Sequence, residues 1–523
     1  MSANSPEHDL VVRGGTVIDG TGAPARTADV AVTGGVVTEV GAKVAGRGRR
    51  EVDADGALVL PGFVDIHAHY DGQATWDNHL APSSWQGVTT VVMGNCGVGF
   101  APVRPSDHDQ LIELMEGVED IPGAALHEGL SWEWRTFAEF LDAVDRLPHD
   151  IDVAAQVPHG ALRLHVMGER GANRDDATPE EIAEMGRIAA EAIVAGGLGF
   201  TTSRTRNHRT SRGDYTPTLT AHARELIGIA EAIGTTGRGV LQLVSDFLDV
   251  DTGEAGGSMT EFEMLRRMVE SSGRPLSFSL AQSPLAPTQH RVLLGKLEQA
   301  VADGLPMRAQ VATRAIGLLL GLQCTLNPFL TTPAFTDEIK GRAPAAAARR
   351  MADPEFKRRA LDAVSGERAM DKLGGGLIGM FDRMHELGDP PDYEPAASTS
   401  IAARAAAAGR TPEDLAWDLM AADGGRTFFY LPFLNYADGN LDAVGEMLAH
   451  PNTVPGLSDG GAHVGTICDG SFPTSLLALW GRDRERGRID LPTIAARHCR
   501  GTARTVGLHD RGVLAPGYRA DVN

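Results

Sequence analysis

The sequence predicts an α/β fold, a (β/α)8 TIM barrel with a small β-sandwich domain built from both chain termini and a helical insertion. Three observations lead to this prediction. Eight strand-like runs alternate with helix-like stretches over residues 60–507. Hairpin-like segments precede them and a similar segment follows, and Ala-rich stretches interrupt the alternation at about residues 331–450.

The small β domain is predicted from residues 1–59 and 508–523. Short runs of alternating character are separated there by Gly-Gly and Asp-Gly pairs, which are typical of hairpin turns. The last residues, GVLAPGYRADVN, have the same strand-like pattern, so both termini are expected to share one sheet. The sequence stops at Asn523 as that strand begins, and we therefore expect either a missing C-terminal segment or disorder beyond the strand.

The barrel is predicted from eight strand-like runs: LVLPGFVDIHAH, GVTTVVMGNC, DIDVAAQVPHG, GLGFTTSRT, GVLQLVSD, RPLSFSLAQ, PMRAQVATR and NTVPGLSDGG. Stretches between them, such as residues 178–197, have helical periodicity and begin at a Thr or Asp cap. Active sites of this fold lie at the carboxyl ends of the strands, so the side chains found there are the functional candidates.

The predicted insertion, at about residues 331–450, is too long for a single crossover between two barrel strands. Its Ala-rich stretches favour helices, which we expect to lie over the mouth of the barrel. A lid is the functional interpretation, and passive packing or an oligomer contact is the alternative. The sequence does not favour one over the other.

The composition of the chain limits the kinds of partner that we expect it to bind. The formal net charge of −21 at pH 7 argues against nucleic acids and anionic membranes. The four cysteines form no C-x-x-C pair, which fits a reducing compartment, and neither a signal peptide nor an apolar run of membrane-spanning length is present. We therefore expect a cytoplasmic protein that acts on a small-molecule substrate, and a homo-oligomer stays open.

His67 and His69 close the first barrel strand and predict a metal site. Residues at i and i+2 of a strand point to the same face, so both imidazoles are able to bind one ion. Imidazole is a common ligand of zinc. The pair alone is weak evidence, but its place at the mouth of the first barrel strand favours a metal site.

Asp459 and Cys96 are the expected partners of this pair. Asp459 follows the last strand, which lies beside the first when a barrel closes, and a carboxylate there is able to bind the metal and accept a proton from water. A helix cap is the alternative for Asp459. Cys96 ends the second strand, where a thiolate would be a zinc ligand and a buried structural thiol is the alternative.

Five further side chains are predicted to contact substrate: His159, Arg204, His208, Gln282 and His463. Each lies at a strand end or in the loop that follows one. An Arg in the loop after the fourth strand would match a substrate carboxylate. The alternatives are a structural role for His159 and a solvated basic loop around Arg204 and His208.

Several motifs resemble the metal-dependent amidohydrolase superfamily and its D-aminoacylase-like (N-acyl-D-amino-acid deacylase) branch. They are VVRGGTVIDGTG, LVLPGFVDIHAHYD, GVTTVVMGNCGVGFAP, GLSDGGAH and DRGVLAPGYRADVN. The resemblance extends over nearly the whole chain and implies a (β/α)8 barrel beside a β-sandwich. It also implies that His67, His69, Cys96 and Asp459 bind zinc.

The chain departs from this family at strands five and six. Members usually carry a His at the end of each, and these bind a second metal, whereas GVLQLVSD and RPLSFSLAQ contain none. A family Lys after the sixth strand is replaced near Gln282. The segment with which the family binds a substrate carboxylate is not evident in AHVGTICDGSFPT. We therefore expect one Zn²⁺ per chain.

These residues predict a zinc-dependent amidohydrolase that cleaves an amide C–N bond of an N-acyl amino-acid-like metabolite. Hydroxide on the metal would attack the carbonyl, with Asp459 as general base and then acid. The alternatives are hydrolysis of a cyclic amide, an elimination or isomerisation on the same scaffold, and a non-catalytic metal-binding protein.

Overall fold

The computed structural model describes residues 7–247, 260–364, 377–467 and 469–523. The strands within these residues are β1 (His8–Val17), β2 (Arg26–Thr33), β3 (Val36–Gly41), β4 (Gly48–Asp53), β5 (Leu58–Val59), β6 (Phe63–Asp65), β7 (Val88–Met93), β8 (Asp152–Pro158), β9 (Gly199–Arg204), β10 (Val240–Ser245), β11 (Leu276–Leu280), β12 (Met307–Val311), β13 (Ile316–Leu320), β14 (His385–Glu386), β15 (Phe429–Leu434) and β16 (Thr453–Pro455).

The α-helices of the same residues are α1 (His108–Glu119), α2 (Gly123–Gly129), α3 (Phe137–Asp145), α4 (His159–Met167), α5 (Glu169–Ala172), α6 (Pro179–Val194), α7 (Ala223–Gly234), α8 (Glu261–Ser272), α9 (Gln289–Ala302), α10 (Pro333–Glu338), α11 (Pro344–Met351), α12 (Pro354–Val364), α13 (Ile401–Ala407), α14 (Pro412–Ala421), α15 (Asp442–Ala449), α16 (Phe472–Ser475), α17 (Leu491–Ala495) and α18 (Thr502–Thr505). Two π-helical segments span Leu476–Asp483 and Ala496–Gly501. Short 3₁₀ turns lie at Gln73–Thr75, Ser83–Gln86, Asn95–Gly97, Pro105–Asp107, Ala397–Thr399, Ala422–Gly425 and Asp469–Ser471.

The central sheet is the predicted barrel. Its eight strands are parallel, in the order β16-β12-β11-β10-β9-β8-β7-β6. Backbone hydrogen bonds beyond the first and last strands close the ring: the Asp459 N–H donates to the His67 carbonyl (3.1 Å), and the His69 N–H donates to the Gly460 carbonyl (2.7 Å). The structure thus confirms the barrel and places the ends of the first and last strands side by side.

Local sequence explains where the outer helices begin. Thr136, Thr178 and Thr260 each accept a hydrogen bond from the backbone of a Glu three residues later, and that Glu in turn accepts one from the Thr backbone. These capping boxes satisfy N–H groups that the first turn of a helix leaves unpaired. The helices α6, α7 and α8 then pack side by side on the outside of the barrel.

The small β domain is a mixed sheet in the order β3-β2-β1-β4, with β5 also paired to β1. The C-terminal residues join it, as predicted: Val37 donates its N–H to the Tyr518 carbonyl (2.8 Å), and Leu60 and Asn523 exchange two backbone hydrogen bonds. Leu514 completes the buried core of this domain. Both termini therefore lie against the start of the first barrel strand.

The insertion between β12 and β16 contains a sheet as well as the predicted helices. Its strands β13, β15 and β14 pair antiparallel in that order, and helices α10 to α14 lie between or beside them. A separate hydrophobic core, which includes Phe329, Trp417 and Phe429, holds the unit together. Residues 365–376 of the predicted insertion lie outside the described residues. Within the described parts of the chain, no helix has the length and apolar character that a membrane span requires.

The buried side chain of His498 is expected to make the free energy of unfolding depend on pH. Its ring packs 4.8 Å from that of Phe63, the first residue of β6, and neither ring nitrogen has a hydrogen-bond partner among the described residues. Burial lowers the pKa of His498 to about 4 from 6.5. Because the folded-state pKa is depressed, this His stabilises the fold above pH 6.5, and that stability is lost as the pH falls toward 4.

We therefore expect His498→Leu to lose less stability than the wild type on acidification. Between pH 7 and pH 5 the wild type should lose about 2 kcal/mol more of its free energy of unfolding than the variant does. Urea unfolding at the two pH values measures this difference. Equal losses in both proteins would mean that His498 is solvated or paired in solution.

Candidate metal centre

Three buried side chains converge at the carboxyl ends of the first two barrel strands. His67 and His69 follow β6, Cys96 follows β7, and one ligand atom from each lies within 4.8 Å of the others. Cys96 Sγ is 3.4 Å from His67 Nε2. The two histidines are 1 % exposed, so the residues that the sequence singled out form one enclosed cluster.

Asp459 joins this cluster from the other side of the barrel seam. Its Oδ1 lies 3.3 Å from His67 Nε2 and 3.6 Å from His69 Nε2. The backbone hydrogen bonds that close the barrel fix this approach, because they tie residue 459 to residue 67 directly. The structure therefore brings together all four predicted metal-binding side chains.

The donor set fits a borderline metal such as zinc. Ligand atoms about 2 Å from a tetrahedral ion lie about 3.3 Å apart. The distances from His67 Nε2 to Asp459 Oδ1 (3.3 Å) and to Cys96 Sγ (3.4 Å) are close to that value. Both ring nitrogens of His69 are buried, and neither has a hydrogen-bond partner among the described residues. A buried imidazole in that state is accounted for if an ion occupies the space between the four side chains.

The backbone is strained where the ligands stand. Cys96, Asp459 and His463 adopt left-handed conformations with φ of 55°, 50° and 54°. Such values are uncommon for residues other than glycine and concentrate at functional sites. Gly94 is needed beside them, because a Cβ on this residue would lie 2.2 Å from the Gln156 carbonyl oxygen. The tight turn therefore aims Cys96 at the histidines.

A polar relay orients His67. Its Nδ1 lies 3.2 Å from Gln310 Oε1, and Gln310 Nε2 donates to Ser277 Oγ over 2.9 Å. The amide oxygen accepts a hydrogen bond from the Nδ1–H group. In this tautomer Nε2 carries no proton, and it is directed toward Cys96 and Asp459. Such outer contacts fix the tautomer of a metal-binding His.

The pKa values of the side chains in this cluster depend on burial and on one another's charges. Burial would lower the pKa of His69, but the carboxylates of Glu119 and Asp459 outweigh it and raise that pKa to about 9. Burial would likewise raise the pKa of Asp459, but the nearby imidazoles of His69, His67 and His463 hold it well below its usual range. Burial lowers the pKa of His67 to about 4. Asp459 is therefore ionised at neutral pH.

Glu119 belongs to this site, although it was not among the predicted residues. It is the last residue of α1, and it is 1 % exposed. Its Oε1 lies 3.4 Å from His69 Nδ1, and its Oε2 lies 3.5 Å from His463 Nε2. The helical spacing of Leu111, Met115 and Glu119 was the available signal, because it places this acid on the apolar face of α1.

Two of the predicted substrate residues stand beside the cluster. His463 Nε2 is 3.8 Å from Asp459 Oδ2, and its side chain is 18 % exposed, so it reaches the opening of the site. His208 bonds through Nδ1 to Ser203 Oγ (2.8 Å). Burial, followed by the charges of His463 and His69, lowers the pKa of His208 to about 3. Both imidazoles are thus placed at the mouth of the barrel near the metal ligands.

Gln282 links the insertion to the barrel. Its backbone N–H donates to Asn435 Oδ1 (2.7 Å), and its carbonyl accepts from the Asn435 N–H (2.8 Å). Its side chain bonds to Asp438 Oδ2 (2.7 Å) and to the Ala437 N–H (3.0 Å). The amide predicted to contact substrate instead anchors the segment after β15.

His159 and Arg204 have partners away from the metal cluster. His159 bonds to Thr202 and Glu225, each at 2.8 Å, so both of its ring nitrogens are engaged. Arg204 Nε donates to Glu261 Oε1 over 2.5 Å, and this pair is buried. These groups bond within the protein and not toward the metal cluster. Their position at a strand end, which was the basis of the prediction, does not specify the direction in which a side chain turns.

A profile of the amidohydrolase family matches residues 50–523. The chain belongs to the amidohydrolase family.

Two curated proteins illustrate how far the similarity extends. The amidohydrolase is 33 % identical over 235 residues to the D-aminoacylase of Alcaligenes xylosoxydans xylosoxydans, a match that covers 45 % of this chain and 44 % of that protein. It is 28 % identical over 549 residues to an uncharacterized protein of Mycobacterium tuberculosis, covering 98 % of this chain and 84 % of that one. The match to the characterised enzyme thus spans less than half of each protein.

A solved structure shares the whole architecture. The N-acyl-D-glutamate deacylase of Bordetella bronchiseptica superposes on this amidohydrolase with a TM-score of 0.62 at 24 % identity, covering 98 % of this chain and 89 % of its own. At this identity the likeness shows the fold, and it confirms the predicted TIM barrel with a small β domain.

Proposed function

We propose that this amidohydrolase uses one Zn²⁺ to cleave the amide C–N bond of an N-acyl amino-acid-like metabolite. The observation that carries the proposal is the convergence of His67, His69, Cys96 and Asp459 at ligand spacing in a buried pocket. The deacylase of Bordetella bronchiseptica supports it, because that enzyme is complexed with zinc and with a phosphonate that mimics the tetrahedral intermediate of its reaction.

The number of metal ions is proposed from strands five and six. Among the described residues, β10 (VLQLVS) and β11 (LSFSL) contain no His, Cys or acid. Asp246, directly after β10, accepts hydrogen bonds from the Thr205 hydroxyl and the Arg206 N–H. We therefore assign no second ion to the ends of these strands. His67, His69 and Cys96 would hold one tetrahedral ion and leave its fourth position to water.

The side chains have distinct tasks in this reaction. Zinc, when bound, supplies a Lewis acid that polarises a carbonyl and makes water more acidic. Asp459, ionised at neutral pH, accepts the proton of the attacking water and returns it to the leaving nitrogen. Gln310 holds the tautomer of His67 throughout. His463 and His208 stand at the opening, and in this proposal they donate hydrogen bonds to the substrate.

The test combines metal analysis with isotope labelling. Zinc-loaded protein is assayed on a panel of N-acyl-D- and N-acyl-L-amino acids in ¹⁸O-water. We expect about one zinc per chain, activity that a chelator removes and zinc restores, and one ¹⁸O atom in the carboxylate product. His67→Ala should lose both metal and activity, whereas His79→Ala, which changes an exposed His paired with Asp150, should keep them.

The alternatives give different results. Turnover without ¹⁸O in the product would indicate an elimination or isomerisation. Absence of metal and of turnover on the panel would indicate a non-catalytic protein. Activity on cyclic amides alone would retain the hydrolase and reject the acyclic N-acyl substrate.

A further inference from the structure

Helix α1 is docked so that its last residue faces the metal ligands. The His463 N–H donates to the Glu119 carbonyl, which ties the loop after β16 to the end of the helix. The next residue, Asp120, accepts hydrogen bonds through Oδ2 from the Gly465 N–H and the Thr466 hydroxyl, both at 3.0 Å. The position of Glu119 is thus fixed from two sides.

The Glu119 carboxylate is buried against two imidazoles and the Cys96 thiol without a close hydrogen bond to either imidazole. Its oxygens lie 3.4 Å from His69 Nδ1 and 3.5 Å from His463 Nε2, and the Cys96 thiol is adjacent. Among the described residues, its Oε1 has no hydrogen-bond partner. These separations are long for hydrogen bonds, so the carboxylate is not fully satisfied by the protein groups around it.

The two buried acids of this pocket also favour a bound cation. Glu119 and Asp459 both lie in it, and within the described parts of the chain the ion-pair partners of Glu119 are His69 and His463. Neither of these two partners is an Arg or a Lys. Buried carboxylates in proteins are either paired with a cation or bound to a metal. A divalent ion would balance both acids at once.

We propose that Glu119 is an additional protein ligand of the metal centre, supplied by helix α1 instead of by a barrel strand. The inference rests on the proposed function, because it requires that the site bind a metal. It assigns to this chain a carboxylate ligand from a helix, in a barrel whose strands five and six contribute no His. An alternative role, in which Glu119 only orients His69 through Nδ1, leaves the number of metal ligands unchanged.

The experiment compares metal-loaded wild type with Glu119→Gln, Glu119→Ala and Glu119→Asp. Glu113→Gln is the matched control, because Glu113 lies on the same helix but pairs with Arg212 at the surface. Zinc affinity is measured by competition with a chelator, and the ligand set is read from the visible spectrum of the Co²⁺-substituted proteins. We expect Glu119→Gln and Glu119→Ala to bind zinc at least about tenfold more weakly. We also expect their Co²⁺ bands to shift, while the Glu113→Gln protein matches the wild type.

Three results would overturn the inference. They are unchanged zinc affinity in all three Glu119 variants, weaker affinity with an unchanged Co²⁺ spectrum, and an equal effect in Glu113→Gln. Circular dichroism of the metal-free proteins verifies folding, and Glu119→Asp, which keeps the charge but withdraws the carboxylate, serves if the larger changes prevent folding. Failure of the wild type to bind zinc or Co²⁺ would instead reject the proposed function.

Discussion

Replacing Asp459 by Asn is expected to lower kcat by about 10³-fold while the barrel stays folded. The amide has nearly the shape of the carboxylate but cannot accept the proton of water or pass it to the leaving nitrogen. Since Asp459 also stands 3.3 Å from His67 Nε2, the variant should bind zinc more weakly. The assay is therefore run at saturating zinc, with kcat expressed per metal-bound chain.

Asp246→Asn is the matched control for this variant. Asp246 follows β10 on the same face of the barrel and accepts hydrogen bonds from the Thr205 hydroxyl (2.5 Å) and the Arg206 N–H (2.8 Å). Its replacement should leave kcat within about threefold of the wild-type value, because no proton transfer is assigned to it. An Asp459→Asn protein as active as this control would remove Asp459 from the proposed chemistry.

Replacing Arg163 by Met is expected to destabilise the fold by about 3–5 kcal/mol. Arg163 donates to both oxygens of Glu225 at 2.6 Å, and both side chains are 1 % exposed. His159 bonds to the same carboxylate at 2.8 Å. Removal of the guanidinium leaves a buried carboxylate with too little positive charge around it. Urea unfolding at neutral pH measures the loss.

A surface Arg and a double variant make this measurement specific. Arg187→Met, which breaks exposed pairs with Glu184 and Glu191, should cost less than about 1 kcal/mol. The double variant Arg163→Met with Glu225→Gln should regain part of the lost stability, because it removes the unpaired charge. A loss below 1 kcal/mol for Arg163→Met alone would show that Glu225 is protonated or solvated.

The metal ligands were predictable because the fold concentrates function at one end of the strands. His67, His69, Cys96 and Asp459 each follow a strand-like run, and the closing of a barrel places the first and last strands together. The order of the strands around a closed barrel was enough to predict that these residues lie close together. The structure brings them together as expected, and their role as metal ligands stays a prediction until the metal is measured.

Other features depend on packing that local sequence does not encode. His159 and Arg204 also stand at strand ends, yet they turn toward the buried acids Glu225 and Glu261, which lie far from them in sequence. Helical spacing places Glu119 on the apolar face of α1, unlike Glu113 and Glu116, but only the docking of the helix against the loop after β16 determines what the carboxylate contacts.

The small sheet of the insertion was missed for a related reason. Strand β13 is a short apolar run, IGLLL, that fits a helix or a strand equally well. Its partner β15 contains a Pro and follows more than 100 residues later in the chain. Only the antiparallel pairing of the two, which is a long-range contact, decides between the two structures.

The seam that closes the barrel also sets the order of events during synthesis. The His67–Asp459 and His69–Gly460 backbone bonds join residues from opposite ends of the chain, and they run directly between the proposed metal ligands. A growing polypeptide therefore lacks a complete ligand set until residue 459 has been translated, whatever its degree of earlier folding. Metal uptake then follows ring closure, and an ion held across the seam would slow its reopening.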